Sequence, residues 1–340
     1  MSTKSSLRFA IVGCGKIAQR HAEHIVAKAE LVAVCDIEKV KVNELATKYQ
    51  VPAYYSLEDL FTNSKFDVAV ICTPNGLHAE QSIYALQNSV HVICEKPMAI
   101  KTEDCQRMMD AVQESQKELF IVKQNRYNPP VVKLKKAIDE GRLGRIFSVQ
   151  LNGFWHRDAD YYKEESWRGT KSLDGGVLYT QFSHFIDLML WLIKDDVVSL
   201  YSDMRNYLHQ GITEIEDTGV VSLRFSNGAI GSIHFTTNSY RKNMEGSITV
   251  FGEKGAVKVG GEYLNQLIYQ HIKDYTIQDD HASIPPNQYG AYTGSMSNHG
   301  LFYDNVIDVL ENKAVKTTDM YDAMKTVELI EKIYKSANVE

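Results

Sequence analysis

The feature that most constrains the fold is a regular alternation of apolar runs and helical segments in the first 125 residues. Continuous apolar, β-branched runs are typical of strands buried on both faces, and their alternation with helices indicates parallel βαβ units. We therefore predict an α/β fold with a doubly wound parallel sheet over about residues 7–125. The predicted strands are 7–13, 31–36, 67–73, 91–95 and 119–124, and the predicted helices are 16–28, 38–49, 77–88 and 102–117, with Ser56 and Thr102 as helix caps.

The second half of the chain carries longer strands with hairpin turns. Asn227-Gly228 lies between two alternating runs in residues 220–235, which is typical of a type I′ hairpin. A second tight turn is predicted at 252–255. These patterns predict an α+β domain built on a large, mostly antiparallel open sheet.

Helices frame this second sheet in the sequence. One long helix is predicted at 176–194, ahead of the strands, with others at 129–140 and 322–337. A broad sheet with one face covered by a helix leaves its other face in need of a cover, and sheet-to-sheet oligomerisation would supply one. At 340 residues the chain suits two domains, which we place at 1–126 and 127–340, with the final helix packing back on the first.

Composition excludes several classes of function. The formal net charge is −6 without a dense Lys/Arg block, so a nucleic-acid surface is not expected. No apolar run approaches the ~20 residues of a membrane span, and the N-terminus lacks a signal-peptide pattern. The five cysteines form no C-x-x-C pair, so we expect reduced, structural cysteines in a cytoplasmic protein, and no metal site is predicted.

A glycine fingerprint follows the first predicted strand. Gly13 and Gly15 with Ala18 form G-x-G-x-x-A, which allows a tight turn, close approach of a pyrophosphate and close packing of the next helix. The amide groups at that helix start favour phosphate. Asp36 ends the second strand, where a carboxylate binds an adenosine ribose, and the absence of a following Arg favours NAD over NADP.

Polar clusters end the next three strands at the same edge of the sheet. They are "TPN" at 73–75, "EKP" at 95–97 and "KQNRY" at 123–127. Lys96 would project into the crevice where ligands bind in such sheets, and a desolvated lysine suits acid-base chemistry. Pro97 restricts Lys96 to an extended backbone and allows a cis bond. A surface lysine at a helix start is the alternative.

The helix predicted at 176–194 is apolar except for one stripe. Gly176, Thr180 and His184 lie four residues apart, so they share one helix face. His184 can exchange a proton near neutral pH, and Gly176 would leave room for a ligand. A core histidine bonded to a backbone carbonyl is the alternative.

The segment 154–171 mixes aromatic and basic residues, including Arg157 and Arg168. In an acidic protein, such a cluster suggests an anionic ligand such as phosphate or carboxylate. Four acidic residues are interleaved, so a self-neutralising, solvated loop is the alternative.

These motifs together resemble the Gfo/Idh/MocA family over essentially the whole chain. The residues that carry the resemblance are "GCGKIA", "CD" at 35–36, "TPNGLHAE" at 73–80 and "EKPMA" at 95–99. The resemblance implies a Rossmann domain followed by an α+β domain whose open sheet mediates oligomerisation. It also implies that Lys96 is catalytic and that His184 matches the His of an Asp-x-x-x-His pattern, although position 180 here is Thr.

The resemblance further implies a set of site residues. Lys96 and His184 are the catalytic candidates, and Lys96, Arg157, Thr180 and His184 are the candidates for substrate binding. The implied NAD-binding residues are Gly13, Cys14, Gly15, Lys16, Ile17, Asp36, Thr73, Pro74, Asn75, His78, Glu95, Lys96, Gln124, Trp167 and Arg168.

Within the family, "VKQNRYN", "WRGT" and "SHFIDLMLWLI" are similar to the WlbA/WbpB-type branch. That branch implies NAD-dependent oxidation of the C3 hydroxyl of UDP-N-acetyl-glucosaminuronic acid, for bacterial surface polysaccharide. It also implies a homotetramer through the C-terminal sheet, with 2-oxoglutarate as a hydride acceptor. UDP-N-acetylglucosamine is the alternative substrate, followed by a free sugar or inositol, and a non-catalytic NAD-binding regulator is the alternative from another class.

Overall fold

The computed structural model describes residues 4–278, 286–288, 293–296 and 298–337. The chain folds into two compact units. The first comprises residues 1–123 and 299–327, and the second comprises 124–298 and 328–340. The domain boundary predicted at 126/127 stays a prediction.

The first unit is built on a six-stranded, entirely parallel sheet. Its strand order is β3-β2-β1-β4-β5-β6, so the order reverses between β1 and β4. The interior positions of these strands are buried, which confirms the α/β fold predicted from the apolar runs. The strands are β1 (Arg8–Val12), β2 (Glu30–Cys35), β3 (Ala53–Tyr54), β4 (Val68–Ile71), β5 (His91–Cys94) and β6 (Leu119–Ile121).

Helices connect these strands. Ser56 caps its helix as predicted, because its hydroxyl accepts the Asp59 N–H at 3.1 Å. Thr102 is the first helical residue rather than the N-cap, which is Lys101, so the predicted cap position is one residue too late. The helices are α1 (Lys16–Lys28), α2 (Lys39–Tyr49), α3 (Leu57–Asn63), α4 (His78–Gln87) and α5 (Thr102–Ser115), with a 3₁₀ turn at Asn75–Leu77.

The second unit contains a seven-stranded sheet in the order β13-β12-β11-β7-β10-β9-β8. Every neighbouring pair is antiparallel except β7 and β10, so the prediction of a mostly antiparallel sheet is confirmed. After a 3₁₀ turn at Gln124–Tyr127, the elements are α6 (Pro129–Asp139), β7 (Ile146–Phe154), α7 (Ala159–Lys163), α8 (Val177–Thr180), α9 (Ser183–Ile193), β8 (Val197–Arg205), β9 (Thr218–Phe225), β10 (Ile230–Thr236), β11 (Glu245–Gly252), β12 (Gly255–Gly260) and β13 (Gln266–Ile272).

The turn between β9 and β10 differs from the predicted type. A type I′ turn needs positive φ at both central residues, whereas here Gly228 has φ +87° and Asn227 has a negative φ. The Phe225 N–H bonds to the Ala229 carbonyl, so three residues form the loop rather than two. The hairpin predicted at 252–255 is confirmed, since Gly252 pairs with Gly255 across the turn.

The single helix predicted at 176–194 is wrong, because the chain breaks between α8 and α9. Phe182 leaves helical geometry, with φ −115° and ψ 5°, and its ring packs among Trp155, Phe185 and Phe235. Gln181 is held by polar bonds to neighbouring side chains. These contacts fix both side chains at the break, and apolar periodicity alone does not reveal them.

Four further elements complete the chain: β14 (Pro286–Gln288), β15 (Thr293–Met296), α10 (His299–Leu310) and α11 (Met320–Ser336). The boundary between the two units falls within α11, after Val327. None of the helices in the described part of the chain combines the length and apolar character of a membrane span. All five cysteines lie among the described residues and are buried thiols outside any disulfide, as predicted.

Candidate active site

The glycine turn at the end of β1 fits a dinucleotide. Gly13 has φ +92°, and a Cβ there would lie 2.6 Å from the Cys72 carbonyl carbon, so only glycine is accommodated. A Cβ on Gly15 would meet nothing within 4 Å, which leaves open space at the start of α1. Gly15 is the N-cap of α1 and provides no side-chain cap, and the first turn contains no acidic residue. This helix start is therefore suited to a pyrophosphate.

Asp36 lies directly after β2, beside that turn. Its Oδ2 accepts the Cys14 N–H at 2.6 Å, and its Oδ1 accepts the Glu38 N–H at 2.8 Å. Two backbone donors hold the carboxylate in one orientation, as a ribose-binding acid requires. Lys16 and Ile17 lie in the first turn of α1, half-buried, while Cys14 is buried.

His78 joins the segments that follow β4 and β5. Its Nδ1 lies 2.7 Å from the Pro97 carbonyl oxygen and its Nε2 lies 2.9 Å from that of Thr73. Burial lowers the pKa of His78, although both carbonyls oppose this shift, and the neutral ring donates its single N–H to one of the two. His78 thus lies between the two strand-end segments and is hydrogen-bonded to the protein backbone.

The remaining polar residues after β4 are close to this junction. The Thr73 hydroxyl donates to Gln81 Oε1 at 2.5 Å. Pro74 precedes the 3₁₀ turn, and Asn75 is buried within it. The sequence prediction places these residues at the cofactor, and that role stays a prediction.

Glu95 belongs to a buried polar chain. Its Oε1 accepts His21 Nε2–H at 2.8 Å, and Tyr303 donates its hydroxyl to His21 Nδ1 at 2.7 Å. Glu95 Oε2 accepts the backbone N–H of Lys96 at 3.0 Å. Burial opposes ionisation, yet His21 and His299 hold the pKa of Glu95 well below its usual range. The network therefore buries a negative charge next to Lys96.

His299 completes this cluster. Its Nε2 lies 3.8 Å from Glu95 Oε1, and one ligand atom each from His21, Glu95 and His299 all lie within 4.8 Å of one another. Burial lowers the pKa of His21, which keeps that ring neutral with one N–H for Glu95. Tyr303 donates to His21 and His21 donates to Glu95, so these three side chains form one hydrogen-bonded network.

Lys96 lies immediately after β5 and is half-buried. The Lys96–Pro97 peptide bond is cis, as the sequence allowed. The backbone N–H of Lys96 donates to Glu95. Because β1, β2 and β5 belong to one parallel sheet, Lys96 lies at the same strand-end edge as the glycine turn and Asp36.

In the second unit, Thr180 ends α8 and contacts a buried carboxylate. The Thr180 hydroxyl lies 2.5 Å from Asp174 Oδ1. Asp174 Oδ2 accepts the Gly169 N–H at 2.8 Å, and the Gly176 N–H lies 3.4 Å from Oδ1. Asp174 carries no signal in the sequence, because an acid before two glycines resembles an ordinary loop residue.

The space beside Gly176 belongs to the protein rather than to a ligand. A Cβ on Gly176 would lie 2.1 Å from the Tyr334 hydroxyl, so the expectation that this glycine leaves room for a ligand is wrong. Tyr334 donates to Glu216 Oε1 at 2.5 Å and accepts the Leu178 N–H at 3.1 Å. Burial raises the pKa of Glu216 to about 7. Neither residue carries a sequence signal for this contact.

His184 lies in the first turn of α9 and is buried. Because the helix breaks before it, His184 does not continue a single stripe with Gly176 and Thr180. One turn further, Asp187 forms a buried bidentate pair with Arg126, with both N···O distances 2.8 Å. That pair anchors α9 to the segment that contains the buried Gln124.

Arg157 is buried between two rings. Its guanidinium lies 5.1 Å from the ring centroids of both Trp155 and Tyr161. Nε donates to Gln181 Oε1 at 3.1 Å, and Nη1 donates to the His156 carbonyl at 2.6 Å. Those contacts bind Arg157 within the protein, where it holds the break between α8 and α9.

Arg168 is likewise folded into its own loop. Nη1 donates at 2.8 Å both to the Tyr161 carbonyl and to Glu164, and the guanidinium lies 4.1 Å from the Tyr161 ring centroid. Trp167 is half-buried beside it. The pairing with Glu164 agrees with the self-neutralising alternative for this loop.

A parallel sheet with a glycine turn, an acid at the end of the second strand and a strand-end lysine is typical of NAD-dependent oxidoreductases. Residues 7–123 match the family described as "Oxidoreductase family, NAD-binding Rossmann fold", and residues 131–258 match the "GFO/IDH/MocA C-terminal domain". The chain belongs to the Gfo/Idh/MocA family and is an NAD-dependent dehydrogenase, as its sequence predicted.

Three proteins illustrate what this chain is similar to. The WlbA dehydrogenase from Bordetella pertussis, solved with NADH and UDP-GlcNAcA, is 38% identical with a TM-score of 0.89, covering 98% of this chain and 96% of that chain. The WlbA dehydrogenase from Chromobacterium violaceum, with the same ligands, is 37% identical with a TM-score of 0.89, covering 98% and 94%. Inositol 2-dehydrogenase of Salmonella typhimurium is 28% identical over 75% of this chain and 74% of that protein.

Proposed function

We propose that this dehydrogenase oxidises the C3 hydroxyl of UDP-N-acetyl-glucosaminuronic acid to the 3-keto sugar, in bacterial surface-polysaccharide biosynthesis. The observation that carries the proposal is the 38% identity, over nearly the whole of both chains, to a WlbA dehydrogenase that was solved with UDP-GlcNAcA. The motifs "WRGT" and "SHFIDLMLWLI" support the same branch from the sequence alone.

The proposed chemistry assigns separate tasks to cofactor and protein. NAD, when bound, accepts the hydride from the sugar carbon. Its phosphates would bind at the Gly13–Gly15 turn, and its adenosine ribose at Asp36. Lys96 or His184 would accept the hydroxyl proton, since both are side chains suited to proton transfer.

Arg157 is a weaker candidate for the uronate carboxylate or the diphosphate than its residue type suggested. Its Nε and Nη1 already donate to Gln181 and to the His156 carbonyl. Trp167 and Arg168 remain proposed contacts of the nicotinamide half, although Arg168 Nη1 is bonded within its own loop.

One other substrate class has specific support. Inositol dehydrogenases are among the relatives at 28% identity, so an inositol or free sugar is the second candidate. UDP-N-acetylglucosamine, which carries a hydroxymethyl group in place of the carboxylate, is the third. A non-catalytic regulator is disfavoured because Lys96 and His184 are both present.

The test mixes the purified protein with NAD and, separately, UDP-N-acetyl-glucosaminuronate, UDP-N-acetylglucosamine and myo-inositol, and follows NADH absorbance. We expect turnover with the uronate alone, and NMR of the product should locate the ketone at C3. Preferred turnover of either other compound would refute the substrate while retaining the dehydrogenase chemistry. Parallel reactions with 2-oxoglutarate, analysed for 2-hydroxyglutarate, test whether that acid reoxidises the cofactor.

The outer face of the seven-stranded sheet supports the proposed homotetramer. Strand register places Tyr201, Val220, Ile230, Phe251 and Tyr269 on one face, and each of these apolar side chains is exposed. Polar side chains such as Gln150, Ser222 and Lys258 share this face, and exposed apolar residues set among polar ones are common in protein interfaces. Sedimentation of the protein should give a tetramer, and Val220→Lys should dissociate it.

A further inference from the structure

Asp174 and Thr180 form a hydrogen-bonded pair in which Thr180 is the donor and Asp174 is the acceptor. A threonine hydroxyl has one hydrogen to donate and lone pairs to accept. The Thr180 oxygen lies 2.5 Å from Asp174 Oδ1 and 3.4 Å from the Asp174 carbonyl oxygen, so the carboxylate is the nearer acceptor. If Asp174 is ionised, the single hydrogen of Thr180 points at Asp174, so Thr180 can offer a ligand only lone pairs.

The surroundings keep Asp174 ionised. Both of its oxygens face donors, namely the N–H groups of Gly169 and Gly176 and the Thr180 hydroxyl. Donors of this kind favour the charged form of a carboxylate. The neighbouring buried carboxyl is Glu216, whose pKa is raised to about 7 by burial and, to a lesser extent, by Asp174. Below about pH 7, Glu216 is therefore protonated and adds no second negative charge beside Asp174.

We propose that Asp174 is a positioning residue that makes Thr180 a hydrogen-bond acceptor, so that the sugar group reaching Thr180 must be a donor, a hydroxyl or an amide N–H. This inference rests on the proposed function, because it takes Thr180 as a substrate contact. Thr180 is half-buried, while Asp174 is 2% exposed, so Thr180 can meet a ligand and Asp174 acts through it.

The consequence is selectivity by polarity. A sugar with hydrogen in place of the contacted hydroxyl loses one hydrogen bond, which weakens binding by roughly 10-fold. A sugar with fluorine at that position presents an acceptor to an acceptor, so it should bind no better than the deoxy sugar. If Thr180 were a donor, the fluoro sugar would bind better than the deoxy sugar.

The test compares the wild type with Thr180→Ser, Thr180→Val and Asp174→Asn. Calorimetry in the presence of NADH gives the Kd of the UDP-sugar and of its C3 and C4 deoxy and fluoro analogues. We expect Ser to keep wild-type affinity and Val to lose about 10-fold for the parent sugar. For the one deoxy analogue that lacks the contacted group, Thr180→Val and the wild type should have the same affinity, because the hydrogen bond to Thr180 is already absent.

Asp174→Asn tests the polarity directly. Its oxygen can still accept the Gly169 N–H, which turns the amide toward Thr180 and releases the hydroxyl hydrogen for the ligand. The fluoro analogue should then bind better than the deoxy analogue, the reverse of the wild type. Thermal unfolding and NAD affinity report whether this variant is folded, and the Ser and Val comparison does not depend on it.

Two results would overturn the proposal. One is a wild-type protein that binds the fluoro analogue better than the deoxy analogue at the position where Thr180→Val loses its effect. The other is Thr180→Val with unchanged affinity for every compound. If the wild type ignores UDP-N-acetyl-glucosaminuronate but accepts another sugar, the proposed function fails, and the same comparison with that sugar's analogues decides the role of Thr180.

Discussion

Two buried glutamates, one in each unit, have opposite electrostatic characters. Glu95 is 6% exposed and Glu216 is 7% exposed, so water reaches them almost equally. Yet the pKa of Glu95 lies well below its usual range, whereas the pKa of Glu216 is raised to about 7. Burial itself therefore does not decide the charge of a carboxyl group in this protein.

The partners decide it. Glu95 accepts hydrogen bonds from His21 and from the Lys96 amide, with His299 nearby, and these groups offset its desolvation. Glu216 accepts from Tyr334, a neutral hydroxyl, and from one amide, and it also feels Asp174. The first unit consequently buries a charge beside Lys96, and the second buries a proton next to the α8 segment.

The largest expected effect tests which unit supplies the proton acceptor. Lys96→Met should lower kcat by at least about 10³-fold, in the upper range for loss of a general base. NAD affinity should be unchanged, since the glycine turn and Asp36 are untouched. Steady-state kinetics and fluorescence titration with NADH measure the two quantities.

Lys101→Met is the matched control for Lys96→Met, because it removes an exposed lysine five residues away. His184→Asn provides the corresponding loss in the second unit. If Lys96→Met loses NAD affinity instead of kcat, Lys96 is a cofactor contact, and the larger loss with His184→Asn would place the base in the second unit.

The next largest effect concerns the buried charge. Glu95→Gln takes the anionic acceptor away from the His21 N–H and the Lys96 amide, and leaving buried donors without it costs about 3 kcal/mol. The pKa of Glu95 is lowered, so its stabilisation is present above about pH 4.5 and disappears as the pH falls below that value. Urea unfolding at pH 7 should show the full loss, and unfolding near pH 3 a smaller one.

Glu114→Gln, which changes an exposed glutamate on α5, is the control and should alter stability by less than about 0.5 kcal/mol. An equally small effect of Glu95→Gln would mean that the cluster does not depend on the charge. Glu95 would then not be a stabilising buried charge, and the contrast with Glu216 would be wrong for the first unit.

The buried proton predicts the opposite dependence on pH. Because the pKa of Glu216 is raised from 4.5 to about 7, its contribution is complete below pH 4.5 and is lost as the pH rises through 7. That loss amounts to about 3 kcal/mol. Glu216→Gln stays neutral, so the difference in stability between pH 5 and pH 8 should become smaller by about 2.5 kcal/mol, while Glu95→Gln retains it. An unchanged pH dependence in Glu216→Gln would place the ionisation elsewhere.

The two units also differ in how much of their structure the sequence could predict. The sheet, the glycine turn and Asp36 follow from local rules, because strand periodicity and a G-x-G-x-x-A spacing are written in neighbouring residues. The break at Phe182 and the contact of Glu216 with Tyr334 do not follow, since they depend on Trp155, Phe235 and Tyr334, which lie far away in the sequence. The apolar pattern of 176–194 fits one helix as well as two.

The smallest expected effect comes from removing the Tyr334 hydroxyl, which donates a hydrogen bond to Glu216. Tyr334→Phe removes the donor to Glu216 and the acceptor of the Leu178 N–H, and should cost about 1 to 2 kcal/mol. Since that hydroxyl holds the pKa of Glu216 down, its loss should raise this pKa further and extend the pH-dependent loss of stability above pH 7. Tyr321→Phe, an exposed change on the same helix, should do neither. If Tyr334→Phe lowers stability but leaves the pH profile unmoved, the hydroxyl only supports packing, and Glu216 owes its proton to burial alone.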